Sequence, residues 1–195
     1  MKRLRSILAL GTLILIAGII LGGCGGDSSE YLKANVTKLG ISYSFEYPPS
    51  YTKLTPDAFE DNGREPSVSL LYTEPGSTKE KADIQMYVIP FAPIAGRPDA
   101  VAWAEEHLKI LEQGDNYFKL IEQTTIQVDG KNGEMIVYRS SVLGNYLNSS
   151  KLICRDIYID YQLYIWKISV LAVEEMGDEA EPVFEHLIET FKFQS

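Results

Sequence analysis

The sequence predicts an α+β domain, a mainly antiparallel central sheet flanked by helices. Three observations carry this reading. Short apolar/polar alternations recur along the chain and are joined by turn sequences, which makes neighbouring strands antiparallel. Two longer stretches place apolar residues at helical spacing. The strand at 163–173 is apolar on both faces, and such a strand is covered on both.

Ile41–Tyr47 alternates apolar and polar residues with period two, and Pro48-Pro49-Ser50 stops it. Residues 52–66 are rich in proline and acids and read as loop, and 67–72 as a second strand. Pro75-Gly76-Ser77 is a turn. Residues 83–91 form a third strand with Ile84, Met86 and Val88 on one face and Tyr87, Ile89 and Phe91 on the other; Pro90 marks an edge or a terminus there.

A helix follows. Pro98 stands at its first position and Asp99 in its first turn, where the helix dipole favours an acid. Val101, Ala104, Leu108 and Leu111 keep helical spacing, Trp103, His107 and Ile110 lie beside them, and Gly114 ends the element. Residues 118–128 and 134–143 then form a hairpin around 129–133, and 151–158 and 163–173 another around 159–162. In the last strand Tyr164, Trp166, Ile168 and Val170 share one face. Leu163, Ile165, Leu171 and Val173 share the other, interrupted by Lys167 and Ser169. The final helix, 179–191, carries Val183, Phe184, Leu187, Ile188 and Phe191 as a wide stripe. Pro182 fits only its first turn, which sets the start near Asp178 or Glu179.

The N-terminus has a different composition. Lys2, Arg3 and Arg5 precede an uncharged run at 7–21, the layout of a secretory signal peptide. The run closes on Leu21-Gly22-Gly23-Cys24, which resembles the bacterial lipobox. There, small residues let an extended backbone enter a peptidase, and the Cys thiol takes up a diacylglycerol, with fatty acyl chains such as palmitate completing the anchor. The organisation expected is a signal peptide at 1–23, a lipidated Cys24 with a flexible tether at 24–38, and one globular domain at 39–195. The alternative, an uncleaved membrane anchor, needs about 20 apolar residues, which the run does not supply. Either way the domain lies outside the cytoplasm, held to the cell membrane.

Charge sharpens this. Of 18 Lys+Arg and 27 Asp+Glu, the first 23 residues hold three basic and no acidic ones, so the mature chain has 15 against 27, a net of −12. Such a chain repels phosphate backbones and anionic headgroups, so no nucleic-acid partner is expected and the domain stands off the bilayer.

The opening segment 40–51, an aromatic strand followed by Tyr47-Pro48 and Tyr51, and the closing segment ending in Thr190-Phe191-Lys192-Phe193, resemble PsbP-like domains, among them the DcrB-like bacterial lipoproteins. The order of elements between them is similar, over roughly 36–195. The resemblance implies an α-β-α sandwich around an antiparallel sheet. Members with known roles act as binding or assembly factors, a photosystem subunit and a nuclear-transport factor of similar fold, and no catalytic motif comes with the fold.

The chemistry-bearing residues are sparse. Cys154 lies in a strand and reads as buried, with a reactive thiol as the alternative. His107 and His186 fall on separate helices without a second His four residues away, so neither starts a helical zinc motif. The acidic loop 57–65 lacks the ligand pattern of a calcium-binding EF-hand, though a weak cation site there stays open. There is no Gly-x-Ser-x-Gly elbow and no phosphate loop. No metal or cofactor is expected. Twelve tyrosines are unusual. Tyr146, Tyr158, Tyr161 and Tyr164 gather near one hairpin as sheet-rim residues or as a candidate binding rim.

The expected function is a non-enzymatic, membrane-anchored binding or assembly module with a protein partner. Alternatives are a carrier of a small apolar or lipid-like ligand in a pocket between sheet and helix, and an enzyme. The enzyme would reveal itself by strongly perturbed titratable groups clustered in a cleft.

Overall fold

The structure is a computed structural model that describes residues 30–54, 66–76, 81–91, 99–142, 147, 149 and 151–194. Leu21, Gly22, Gly23, Cys24, the loop 57–65 and Tyr146 lie outside the described residues. In chain order come β1 (Leu32–Lys38), β2 (Ile41–Tyr47), β3 (Thr52–Leu54), β4 (Val68–Tyr72), β5 (Ile84–Phe91), α1 (Ala100–Gly114), β6 (Lys119–Val128), β7 (Lys131–Ser140), β8 (Leu152–Tyr161) and β9 (Tyr164–Val173). A 3-10 turn (Glu174–Met176), α2 (Gly177–Thr190) and β10 (Lys192–Gln194) complete it.

The fold is α+β, and the described strands pair antiparallel throughout. They form two sheets where one was expected: seven strands in the order β3-β4-β5-β9-β8-β7-β6, and three in the order β1-β2-β10. The reason lies in β2. Its Tyr43, Phe45 and Tyr47 are buried, so this strand stacks on the large sheet through its side chains and does not extend the edge. Tyr43 meets Trp166 edge-on at 5.3 Å and stacks on Phe191 at 5.4 Å. Each such aromatic removed from water contributes about 1.5–3 kcal/mol.

Several boundaries differ from expectation. Leu32–Lys38, read as tether, is a strand paired with β2 along its whole length. Only Ala34 within it is buried, so no hydrophobic alternation betrays it. Leu39 and Gly40, both with positive φ, make the two-residue turn between β1 and β2. Asp99 is the N-cap of α1, not a residue of its first turn, and accepts from the Ala102 amide at 3.0 Å. Val101 is exposed; Ala100, Ala104 and Leu111 are the buried contacts. Helix α2 starts at Gly177, one or two residues earlier than expected, which leaves Pro182 just past its first turn. The last hairpin turns at Gln162-Leu163, because β8 and β9 stay paired as far as Tyr161 and Tyr164. Pro90 stands past the last β4–β5 pair, Val68 with Val88, where its missing N–H interrupts no ladder on that side.

The two faces of the large sheet are covered differently. One face carries Val68, Leu70, Met86, Val88, Trp166 and Ile168, packed with β2, Phe191 and the Phe184 and Leu187 side chains of α2. The other carries Tyr138, Leu152, Cys154, Tyr158, Ile165 and Leu171, packed with Ala100, Ala104 and Leu111 of α1.

Helix α1 is pinned at both ends. Its first amide, Ala100 N–H, donates to Asp160 Oδ2 at 2.9 Å. At the other end Asp115 accepts from the Ser140 hydroxyl (2.7 Å), the Ser141 amide and hydroxyl (2.7 and 2.6 Å) and the Tyr117 amide (2.9 Å). Burial alone raises the Asp115 carboxyl, but these donors, led by Ser141, draw it down to about 2.

Candidate functional site

The α1 side of the large sheet is the unusual one. Its central strands carry polar residues on an otherwise apolar face, and side chains on a strand alternate, so Lys167 and Ser169 of β9 point the same way as Asp156 and Tyr158 of β8. The register then pairs Asp156 with Ser169 and Tyr158 with Lys167. On β7, Ile136 lies opposite Asp156 and Tyr138 opposite Cys154. Gly133 of β7 supports this pairing: a Cβ there would sit 2.7 Å from the Tyr158 carbonyl, so the approach of β7 to β8 needs glycine.

Asp156 is the centre. Its side chain has no exposure, and Lys167 Nζ lies 2.8 Å from Oδ2. Tyr138 donates its hydroxyl to the same oxygen at 2.8 Å, and Ser169 donates to Oδ1. Burial by itself raises the carboxyl, but Lys167, His107 and the hydrogen bonds from Lys167 and Ser169 together outweigh it and hold the group below the ordinary carboxylate range. Burial likewise opposes the Lys167 charge, and Asp156 with the Tyr158 and Tyr87 phenols together more than restore it, so the ammonium titrates well above its usual range. The Tyr87 and Tyr158 rings stand 5.7 and 5.6 Å from Nζ and add cation–π attraction. Burial raises the Tyr87, Tyr138 and Tyr158 phenols.

His107 closes the network from α1. Its Nδ1 lies 2.6 Å from the Tyr158 hydroxyl and 3.6 Å from Asp156 Oδ2. Burial, then the nearby Lys167 charge, push the imidazole down to about 4, so it is neutral at pH 7. His107 Nδ1 and the Tyr158 hydroxyl share one hydrogen bond, in which either can be the donor.

A cavity of about 210 Å³ opens over this cluster, between α1 and the sheet. Phe91, Trp103 and Ile110 form its walls, and His107, Tyr158 and Lys167 its polar floor. Trp103, His107 and Ile110 are spaced so that they project from one face of the helix. Phe91 and Trp103 stack with centroids 4.9 Å apart, Ile110 is 60% exposed, and Glu106 lies at the exposed rim. Trp103 Nε1 is buried with no hydrogen-bond partner among the described residues.

Other candidates fall elsewhere. Cys154 is fully buried, as expected, and burial pushes its thiol up, away from reactivity. His186 lies with Glu46 (3.1 Å) and the Tyr31 ring (3.8 Å), apart from His107. Among the described residues no cluster of His, Cys, Asp and Glu has the makings of a metal site. The tyrosines do not form one rim. Tyr158 is buried on the α1 face, while Tyr161 and Tyr164 pack on the opposite face, Tyr161 stacked on Phe193 at 3.9 Å. Asp156, Tyr138, Tyr87 and Ser169 were not anticipated as site residues. The signal available was the pair of polar interruptions, Lys167 and Ser169, in a strand otherwise apolar on both faces.

No protein-family model matches the chain, and no curated protein matches it in sequence. Solved structures do match. The solution structure of the cyanobacterial PsbP of Synechocystis, CyanoP, aligns with a TM-score of 0.59 at 17% identity, covering 89% of this chain and 99% of that one. The fold is PsbP-like. LpqN of Mycobacterium tuberculosis, described as involved in cell envelope biogenesis, aligns with a TM-score of 0.57 at 11% identity, over 85% of this chain and 92% of that one. The Saccharomyces cerevisiae Ran-binding protein Mog1p gives 0.52 at 12% identity, over 85% and 96%. Identities this low establish the shared fold alone. Among the described residues, no helix is long and apolar enough to cross a membrane.

Proposed function

We propose that this protein is a DcrB-like lipoprotein held to the outer face of a cell membrane through Cys24, and that its PsbP-like domain is a non-enzymatic binding or assembly module. The α-β-α layering implied by the resemblance belongs to this reading. The anchoring rests on Leu21-Gly22-Gly23-Cys24 at the end of an uncharged run. A fold shared with a protein named for Ran binding and with one described in envelope biogenesis agrees with a binding role.

One observation carries the non-enzymatic part. Perturbed titratable groups do cluster beside the cavity, the feature set out above as the mark of an enzyme. Yet each is turned on its neighbours: Asp156 takes donors on both oxygens, Lys167 is spent on Asp156, and His107 Nδ1 is taken by Tyr158. A general base or nucleophile needs a lone pair facing substrate, and the Asp156 carboxylate and the Lys167 ammonium offer none. A second reading, a carrier of a small apolar ligand, is favoured by the cavity between α1 and the sheet.

Two measurements test the main reading. Cells expressing the full chain incorporate a fatty-acid probe into the protein, and Cys24→Ala abolishes it; persistent labelling of the variant sinks the anchoring. Crosslinking on intact cells then captures a protein partner, and recovery of none counts against the assembly role.

A further inference from the structure

We propose that the cavity between α1 and the seven-stranded sheet binds a small uncharged ring compound bearing one hydrogen-bond-accepting oxygen. This rests on the carrier reading and gives it a ligand class.

Size comes first. The cavity's 210 Å³ exceeds the roughly 150 Å³ in which an apolar cavity already holds benzene. That is room for one ring with a short substituent and too little for a whole acyl chain. The accessible wall is overwhelmingly apolar, and the Phe91–Trp103 stack with Ile110 offers flat and aliphatic surfaces to a ring.

Charge comes second. An anion needs an uncompensated cation, and Lys167 is already neutralised by Asp156 at 2.8 Å, while His107 is neutral. An anion would also pass Glu106 at the rim. A cation would find no free anion in the floor, because Asp156 is already paired with Lys167. Bringing either sign into this apolar space costs desolvation with nothing to offset it, so the cavity favours an uncharged occupant.

Hydrogen bonding comes third. The proposed ligand meets His107 with Nδ1 accepting from the Tyr158 hydroxyl at 2.6 Å, so that Nε2 carries the ring proton as a donor. Trp103 Nε1–H is a second donor, buried without a partner among the described residues. The cavity thus has donors to satisfy, and the ligand brings the acceptor.

Three probes on one ring test this: acetophenone (uncharged, with an acceptor), ethylbenzene (uncharged, without one) and benzoate (an anion with acceptors). Each is titrated into the full chain while the Trp103 indole N–H resonance and ligand line widths are followed. Acetophenone is expected to bind saturably with Kd about millimolar or below, as suits a fragment of its size, and the other two at least tenfold more weakly. His107→Phe should lower acetophenone to the ethylbenzene level. Ile110→Trp, a change at an exposed helix position, should block the mouth, and it serves as the test if the His107 variant fails to fold. Ethylbenzene equal to acetophenone, or benzoate as tight or tighter, overturns the proposed ligand class and leaves the carrier reading standing. Absence of saturable binding by all three overturns both.

Discussion

The two faces of the seven-stranded sheet are built on opposite principles. The face toward β2 and α2 is dry: Tyr43, Phe45, Trp166 and Phe191 are packed ring against ring with almost no exposure. The face toward α1 buries an ion pair, hydroxyls and an imidazole, and leaves a cavity beside them. Both faces share the same strands, so neither propensity nor pairing accounts for the difference. It lies in which residues alternate onto each side of β8 and β9. Dispersion and the hydrophobic effect hold the dry face, where removing any large ring leaves a void. A buried network depends on its weakest partner, because a polar group left unpaired costs more than the pair contributed. The polar face therefore depends on specific geometry where the dry face depends on close packing.

The largest effects should separate the faces by what rescues them. Asp156→Ala leaves the Lys167 charge buried and should destabilise by about 3–5 kcal/mol. Combining Asp156→Leu with Lys167→Met should recover more than half of that in urea unfolding, since both charges are gone. Trp166→Ala on the dry face should cost a similar amount, about 3–5 kcal/mol, and adding Lys167→Met to it should recover nothing. If the double charge variant is no better than Asp156→Ala, the network is not held together by its ion pair.

A smaller effect is expected from pH. Unfolded, His107 takes up a proton near its ordinary 6.5; folded, it does so only near 4. Between these values the unfolded chain binds more protons, so acid destabilises the fold. The His107 contribution is complete above about pH 6.5 and is lost progressively down to about pH 4, by about 2–3 kcal/mol. Urea unfolding of the wild type and His107→Phe across this range isolates it, and parallel curves for the two would falsify the assignment. The smallest expected effect lies outside both faces. Asp99→Ala removes the α1 N-cap and should cost about 1 kcal/mol, read as a drop in the urea midpoint with unchanged slope.

Much of the dry face was legible in the sequence. The alternation of Ile41–Tyr47 and of Trp166, Ile168 and Val170 marks sides that must be covered, and the stripe of Phe184, Leu187 and Phe191 supplies a cover. β1 and β10 were not legible. Leu32–Lys38 buries one residue and Lys192–Gln194 is three residues long, so both are strands only because β2 stands between them to accept their hydrogen bonds. The polar site was half legible. Lys167 and Ser169 stood out on their strand, but their partner Asp156 is reached only through register. Turning the hairpin at Gln162-Leu163 brings Asp156 opposite Ser169, whereas a slip of one residue would send every β8 side chain to the other face.

By itself the sequence determined the α+β class, the antiparallel pairing and the places where polar residues break apolar strands, because these follow from local periodicity and turn chemistry. The second sheet, the meeting of Asp156, Lys167, Tyr158 and His107, and the cavity above them were decided only by tertiary structure. These depend on strand register and on where α1 is pinned by Asp160 and Asp115, and both are fixed by contacts between residues far apart in the chain.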